Sequence, residues 1–383
     1  MSVKISVVEH MTFKTGKFKF SCEFDSAEIL PLMVEARSLS NLLQSLPVLP
    51  GFLAKMETEL IRRSIFGTAA IEGNPLSEDA VGELLKMADS LSDGKEISAN
   101  QAEREIRNLK RLYKTLEDRE VVTADLTENF IKSVHETVTA GIDYYHNSPG
   151  KYRNEVVKVG NAEHGGIYTP PKTLSDIRAL MEIFISWINA PEMKVADLLL
   201  RAAAAHYHLA MIHPFQDGNG RTARFIEAVL LSSGEGGLLP LMMSNFYYRN
   251  IDRYFIAFSD SRKSGDMTPF LKFYFEGVIE SLSEVQQKVL SDLNAVLIRE
   301  YLSVLLREKK IVSRQHDLML QLIETGKDVS LRALYGDPVF KPLYISVAES
   351  TARRDLKKLI ELELIKPVAG KNYAVNWDRF KRL

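Results

Sequence analysis

The chain has 383 residues, with 49 Lys and Arg against 50 Asp and Glu, and this net charge of −1 exerts no global pull toward nucleic acid or a membrane surface. A single cysteine, Cys22, excludes an internal disulfide framework and suits a reducing compartment, and the length allows two or three domains with their own cores. The opening residues lack an apolar signal core and no segment reaches membrane-spanning length, so a soluble cytoplasmic protein is expected.

Between Thr12 and Phe24, the residues Phe18, Phe20, Cys22 and Phe24 alternate with polar neighbours, which predicts a short strand or hairpin with a buried, inert thiol. Helical spacing follows from Ser26 to about Leu46, ending before Pro47 and Pro50, and a second helix is expected from about Leu53 to Glu72. Glu72 is oddly placed. A carboxylate in the last turn faces the negative end of the helix dipole, and Gly73-Asn74-Pro75 then stops the helix. Either Glu72 is a solvated carboxylate or it meets a cation from elsewhere in the chain.

Amphipathic helices are expected over residues 98 to 117 and 125 to 140, and Tyr144, Tyr145 and His146 near Pro149-Gly150 read as loop. Val156 to Gly160 and Ile167 to Pro171 flank a polar, glycine-containing link, the pattern of a hairpin whose second strand is ended by prolines. A helix from about Ser175 to Asn189 precedes another in which Val195, Leu198, Leu199, Ala202, His206, Leu209 and Ala210 recur at helical spacing. His206 lies on that apolar stripe. With His208 two residues on and facing elsewhere, it is read as a packed core histidine rather than a metal ligand.

The densest chemistry is His213-Pro214-Phe215-Gln216-Asp217-Gly218-Asn219-Gly220-Arg221-Thr222-Ala223-Arg224. Gly218-Asn219-Gly220 takes positive φ cheaply, so the chain can turn sharply and aim backbone N–H groups into one concavity. The strong helix former that follows points its positive dipole end at the same place, which suits phosphate. Arg221 and Arg224 oppose that dipole unless an anion is bound between them. Asp217 beside a phosphate implies an intervening hard cation, magnesium, and His213 can accept a proton from a hydroxyl nucleophile. Together these parts describe transfer of a phosphorus-containing group to a hydroxyl.

Beyond it, residues 232 to 237 are glycine-rich and end the helix, and Ser244 to Phe255 is rich in aromatics. A long helix is expected from Thr268 through Leu306. After that, His316 to Glu324 reads as helix, Ser346 to Leu362 as a Ser-capped helix carrying Arg353, Arg354, Lys357 and Lys358, and Glu363 to Val375 as a small hairpin. This order resembles a winged helix-turn-helix. Its basic residues suit DNA phosphates, or the module serves protein interaction or dimerisation as part of a homodimer; interleaved acidic residues leave both open.

His-Pro-Phe-x-Asp-Gly-Asn-Gly-Arg-x-x-Arg resembles the signature of the Fic family, most of whose members transfer AMP from ATP to a Ser, Thr or Tyr hydroxyl of a protein. The resemblance implies a mainly α fold: a helical core with a β-hairpin flap that pairs with an extended target segment. It makes His213 the base, Asp217 the holder of Mg²⁺, Gly218, Asn219 and Gly220 the phosphate cradle, and Arg221 and Arg224 the ligands of the outer phosphates. Thr68-Ala69-Ala70-Ile71-Glu72-Gly73 is similar to the family's inhibitory motif, whose glutamate pairs with the second arginine, here Arg224, and displaces the γ-phosphate. Asn250 and Tyr254 fall where the family lines its adenine and ribose pocket. The implied organisation is a regulatory region over 1–110, a Fic core over 111–300 and a winged helix over 301–383. Two alternatives remain: a de-AMPylating enzyme using the same site, and a nucleotide-sensing DNA-binding regulator.

Overall fold

A computed structural model describes residues 2–90, 100–116, 125–142, 148–233 and 237–380. Tyr144, Tyr145 and His146 and the centre of the glycine-rich segment at 234–236 lie outside the described residues. The fold is mainly helical and divides into two units, Met1–Val285 and Gln286–Leu383.

In the first unit, β1 (Ser2–Thr12) pairs antiparallel with β2 (Gly16–Asp25), from Ser2 opposite Asp25 to Thr12 opposite Gly16, with an irregularity between Ile5 and Val8. Phe20, Cys22 and Phe24 are buried as their alternation requires, and burial pushes the Cys22 thiol up to about 12. Helix α1 (Ser26–Ser45) starts on Asp25, whose carboxylate accepts from Ala27 N. Helix α2 (Pro50–Ile71) begins three residues before the expected start, because proline is tolerated in a first turn whose N–H groups are unpaired anyway. A helix not anticipated, α3 (Glu78–Ser90), packs against α2 and α4 (Gln101–Thr115). Side-chain caps from Asn100 and Thr127 open α4 and α5 (Glu128–Val138), and Thr173 opens α6 (Leu174–Ile188).

After the short α7 (Pro191–Val195), helix α8 (Leu198–Ile212) runs through the centre of the unit and α9 (Asn219–Ser232) packs along it. The aromatic stretch forms two helices, α10 (Met243–Arg249) and α11 (Ile251–Ser264), with their junction at Asn250. The long α12 (Thr268–Arg307) follows. One continuous core holds Phe20, Ile65, Leu109, Phe184, Phe225 and Phe275, so residues 1–110 and the segment expected as the Fic core share a single hydrophobic interior.

The second unit has its own core, including Leu302, Leu318, Phe340, Tyr344 and Leu359. It contains α13 (Ser313–Thr325), α14 (Leu331–Gly336), α15 (Lys341–Tyr344) and α16 (Glu349–Glu361), then an antiparallel pair β3 (Ile365–Val368) and β4 (Asn372–Val375), and α17 (Trp377–Phe380). The serine cap expected at Ser346 is not formed. Val347 N is tied back to Tyr344 O, so α16 starts at Glu349 with Ala348 as an N-cap that lends no side chain. On α16, Arg353 pairs with Glu349 and Lys357 approaches Glu361, which neutralises part of its basic face.

Candidate active site

The signature forms the α8–α9 turn. Helix α8 ends at His213, whose φ of 50° is left-handed, and Gly218 takes φ 74° as the N-cap of α9. Of the expected glycine turn only Gly218 needs positive φ, and a Cβ there would lie 2.9 Å from Thr139 Cγ2. Gly220 is already helical. Its reason is space: a Cβ at this position would lie 2.2 Å from Glu72 Oε1. Asn219, expected in the phosphate cradle, is buried, and its side chain accepts from Phe215 N and donates to Phe215 O, both at 2.9 Å. Its side chain thereby closes the loop.

No side chain caps the first turn of α9. Its positive end faces Glu72, the C-cap of α2, whose carboxylate accepts from Arg224 Nη2 at 2.7 Å. Arg224 is 1% exposed at its side chain, and it also donates from Nε to Thr68 Oγ1 (2.8 Å) and from Nη2 to Thr68 O (3.1 Å). Burial opposes ionisation of Glu72, but the charges of Arg224 and Arg221 outweigh it and hold the carboxyl below its usual range. The structure thus joins Thr68, Glu72 and Arg224 around the N-terminus of α9. Arg221 donates to Asp217 Oδ2 at 3.2 Å and lies 3.6 Å from Glu105 Oε1.

His213 is desolvated, which lowers its pKa to about 4. Its Nδ1 lies 3.3 Å from the Ala210 carbonyl, so Nδ1 carries the proton and Nε2 presents the lone pair. Asp217 retains 36% exposure at its side chain, and among the described residues no group of three or more His, Cys, Asp or Glu is arranged to hold a metal ion. A partly exposed carboxylate, ion-paired with Arg221 beside an uncapped helix N-terminus, fits Mg²⁺, which commonly takes one or two carboxylates, waters and substrate phosphates.

Two positioning residues escaped the sequence reading. Arg153 is 4% exposed and spends its guanidinium on three carbonyls: Nε on His213 O (2.8 Å), Nη1 on Glu155 O (2.7 Å) and Nη2 on Pro171 O (2.7 Å). Burial lowers its pKa to about 10. His135 stacks on Phe215 at 3.7 Å, accepts at Nδ1 from Gly150 N (3.0 Å) and donates from Nε2 to Asp217 O (2.8 Å). Burial brings it to about 4, in keeping with the neutral tautomer these bonds demand. The sequence offered little clue to Arg153 beyond an arginine close to Pro149-Gly150.

The two residues expected in the nucleotide pocket lie at the α10–α11 junction and on α11. Tyr254 is 3% exposed, and its hydroxyl lies 2.8 Å from His206 Nε2, while His206 Nδ1 donates to the buried carboxylate of Glu227. Tyr247 donates to the same carboxylate at 2.9 Å. His206 is therefore a core histidine, and Tyr254 belongs to this buried network behind Arg224, because the aromatic face of α11 packs inward. Asn250 is half-buried at the α10–α11 junction, where Nδ2 donates to Phe246 O (3.1 Å). The expected flap hairpin is reduced to one bridge, with Val159 N on Tyr168 O (2.9 Å) and Tyr168 N on Val159 O (2.8 Å). Its loop is tied to α11 instead: His164 Nε2 lies 2.8 Å from Asp252 Oδ1, and Ser259 Oγ donates to Gly165 O at 3.0 Å.

Residues 125–231 match the Fic/DOC family, a span that contains the whole signature. The chain is similar to the protein adenylyltransferase Fic of Drosophila yakuba, 29% identical over 225 residues that make up 58% of this chain and 41% of that protein. It is also similar to the namesake of Aedes aegypti, 30% identical over 222 residues, 58% of this chain and 41% of that protein. The chain thus spans about two fifths of the length of these curated relatives. Among solved structures, a Fic family protein from Desulfovibrio desulfuricans G20 aligns at TM-score 0.56 and 18% identity, covering 91% of this chain and 95% of that one. Fic-1 from C. elegans aligns at TM-score 0.50 and 23% identity, covering 68% and 71%. These two establish likeness of fold.

Proposed function

We propose that the chain is a Mg²⁺-dependent protein adenylyltransferase held inactive by Glu72. The observation that carries this reading is the carboxylate of Glu72 over the N-terminus of α9, ion-paired with Arg224. That is where a helix N-terminus and two arginines would receive phosphate. His213 Nε2 takes the proton of a target Ser, Thr or Tyr hydroxyl; the hydroxyl oxygen bonds the α-phosphorus of ATP, and the bond to the pyrophosphate bridge breaks. Asp217 would hold Mg²⁺, which would supply neutralising charge to the phosphates. Arg221 and, once Glu72 withdraws, Arg224 bind the outer phosphates and fix the α-phosphorus in line. The relatives named as adenylyltransferases support AMP as the transferred group, and the single buried Cys22 suits a cytoplasmic setting.

The test measures AMP incorporation from α-labelled ATP with Mg²⁺, using lysate and the protein itself as acceptors, for wild type, Glu72→Gly, and Glu72→Gly with His213→Ala. Strong labelling only by the single variant is expected. Labelling by wild type as strong as by Glu72→Gly would remove autoinhibition, and labelling that survives His213→Ala would remove His213 as base. A second reading, removal of AMP, has the partly exposed carboxylate of Glu72 orient a water at the N-terminus of α9. It predicts that wild type, and not Glu72→Gly, releases AMP from protein already modified by the variant.

A further inference from the structure

A cavity of about 320 Å³ lies between the N-terminal hairpin, the flap and the ends of α8 and α11. Its wall includes Lys17, Lys19 and Arg262 against one acid, Asp266, together with Tyr168 and Met211. The cations differ in their commitments. Lys17 pairs with Glu9 and Lys19 with Glu23, both at 2.5 Å, and Asp266 caps α12 through Thr268 N at 2.7 Å. Arg262 has no carboxylate at ion-pair distance among the described residues; its guanidinium lies 5.4 Å from the centre of the Tyr168 ring. Stacking of this kind orders a guanidinium without neutralising it, so Arg262 is set to receive a carboxylate or phosphate.

Tyr168 gives the cavity its meaning. Its backbone forms the flap bridge with Val159, its ring carries Arg262, and its hydroxyl donates to Met211 O two residues before His213. Tyr168 therefore belongs both to the flap and to the wall of the cavity. We propose that the cavity is a specificity pocket for an acidic side chain of the target protein, close to the acceptor hydroxyl, with Arg262 as its principal ligand. The proposal rests on the transferase reading only for the role of the flap.

Its test uses the full chain and two dye-labelled pools of short peptides, each with a central Ser, Thr or Tyr. One pool carries Asp and Glu at the flanking positions, the other Asn and Gln. Fluorescence anisotropy should show the acidic pool binding roughly tenfold tighter, as one good charge-assisted contact allows. Arg262→Gln should remove most of that preference and Arg262→Lys restore part of it. Equal binding of the two pools, or a preference unchanged by Arg262→Gln, overturns the pocket. So does Arg262-dependent binding of inorganic phosphate without any peptide preference, which would make the cavity a small-anion site. Labelling of the same pools by Glu72→Gly separates the two ideas. Labelling without acidic preference leaves transfer standing and removes the pocket, whereas Arg262-dependent binding without labelling does the reverse.

Discussion

Arg153 is the residue whose replacement best separates positioning from chemistry. Its three carbonyl acceptors lie in two places, the His213–Pro214 turn and the segment from Glu155 to Pro171, so one buried side chain fixes the base relative to the flap. Arg153→Ala leaves those acceptors unpaired, and denaturant unfolding should register a loss on the order of 3 kcal/mol. Arg153→Lys, able to serve one carbonyl well, should recover part of the stability. In the Glu72→Gly background Arg153→Lys should lower kcat for transfer while leaving KM for ATP nearly unchanged, because Arg153 touches the base and not the phosphate site. A fall confined to KM would place the residue in nucleotide binding instead.

Helix α2 bears the regulatory groups, and its position depends on a close approach to α10. A Cβ on Gly67 would sit 2.8 Å from Ser244 O and 3.0 Å from Asn245 Cα, both backbone atoms that do not swing aside. Gly67→Ala should therefore cost roughly 1–3 kcal/mol in urea unfolding. Because Thr68 and Glu72 ride on the same helix, the variant should also loosen the Arg224 contacts and raise labelling above wild type without reaching Glu72→Gly. Reduced stability with labelling at the wild-type level would show that α2 adjusts to the methyl group without moving Glu72.

Across the whole molecule, three desolvated histidines set an acid limit, two of them buried (His135 and His208) and His213 half-buried. His135, His208 and His213 are each lowered by burial from 6.5 to about 4. The unfolded chain therefore binds more protons than the folded one between these values. Stability from these groups is full above about pH 6.5, falls as pH drops toward 4, and levels off below it, by up to roughly 3 kcal/mol per histidine. Chemical denaturation across this range should show the decline. His208→Phe, among Phe20, Trp187 and Tyr207, should flatten it by about one histidine's share. An unchanged slope would mean that His208 is neutral for reasons common to both states.

Much of this protein is legible in its residues because the relevant physics is local. Helical spacing, the alternation that buries Cys22 and the crowding of base, carboxylate, glycine and arginine at 213–224 are all short-range patterns. The misplacement of Glu72 at a helix C-terminus was likewise visible as a local mismatch with the dipole. What it meets was not visible in any local pattern and was named only through the family resemblance, since Arg224 lies 152 residues further along the chain. The same distance hid the clamp of Arg153, the inward turn of Tyr254 toward His206 and the reason Gly220 must lack a side chain. Spacing along a chain specifies which groups share a helix face; which groups share a site depends on how separate helices pack, and no local pattern encodes that contact.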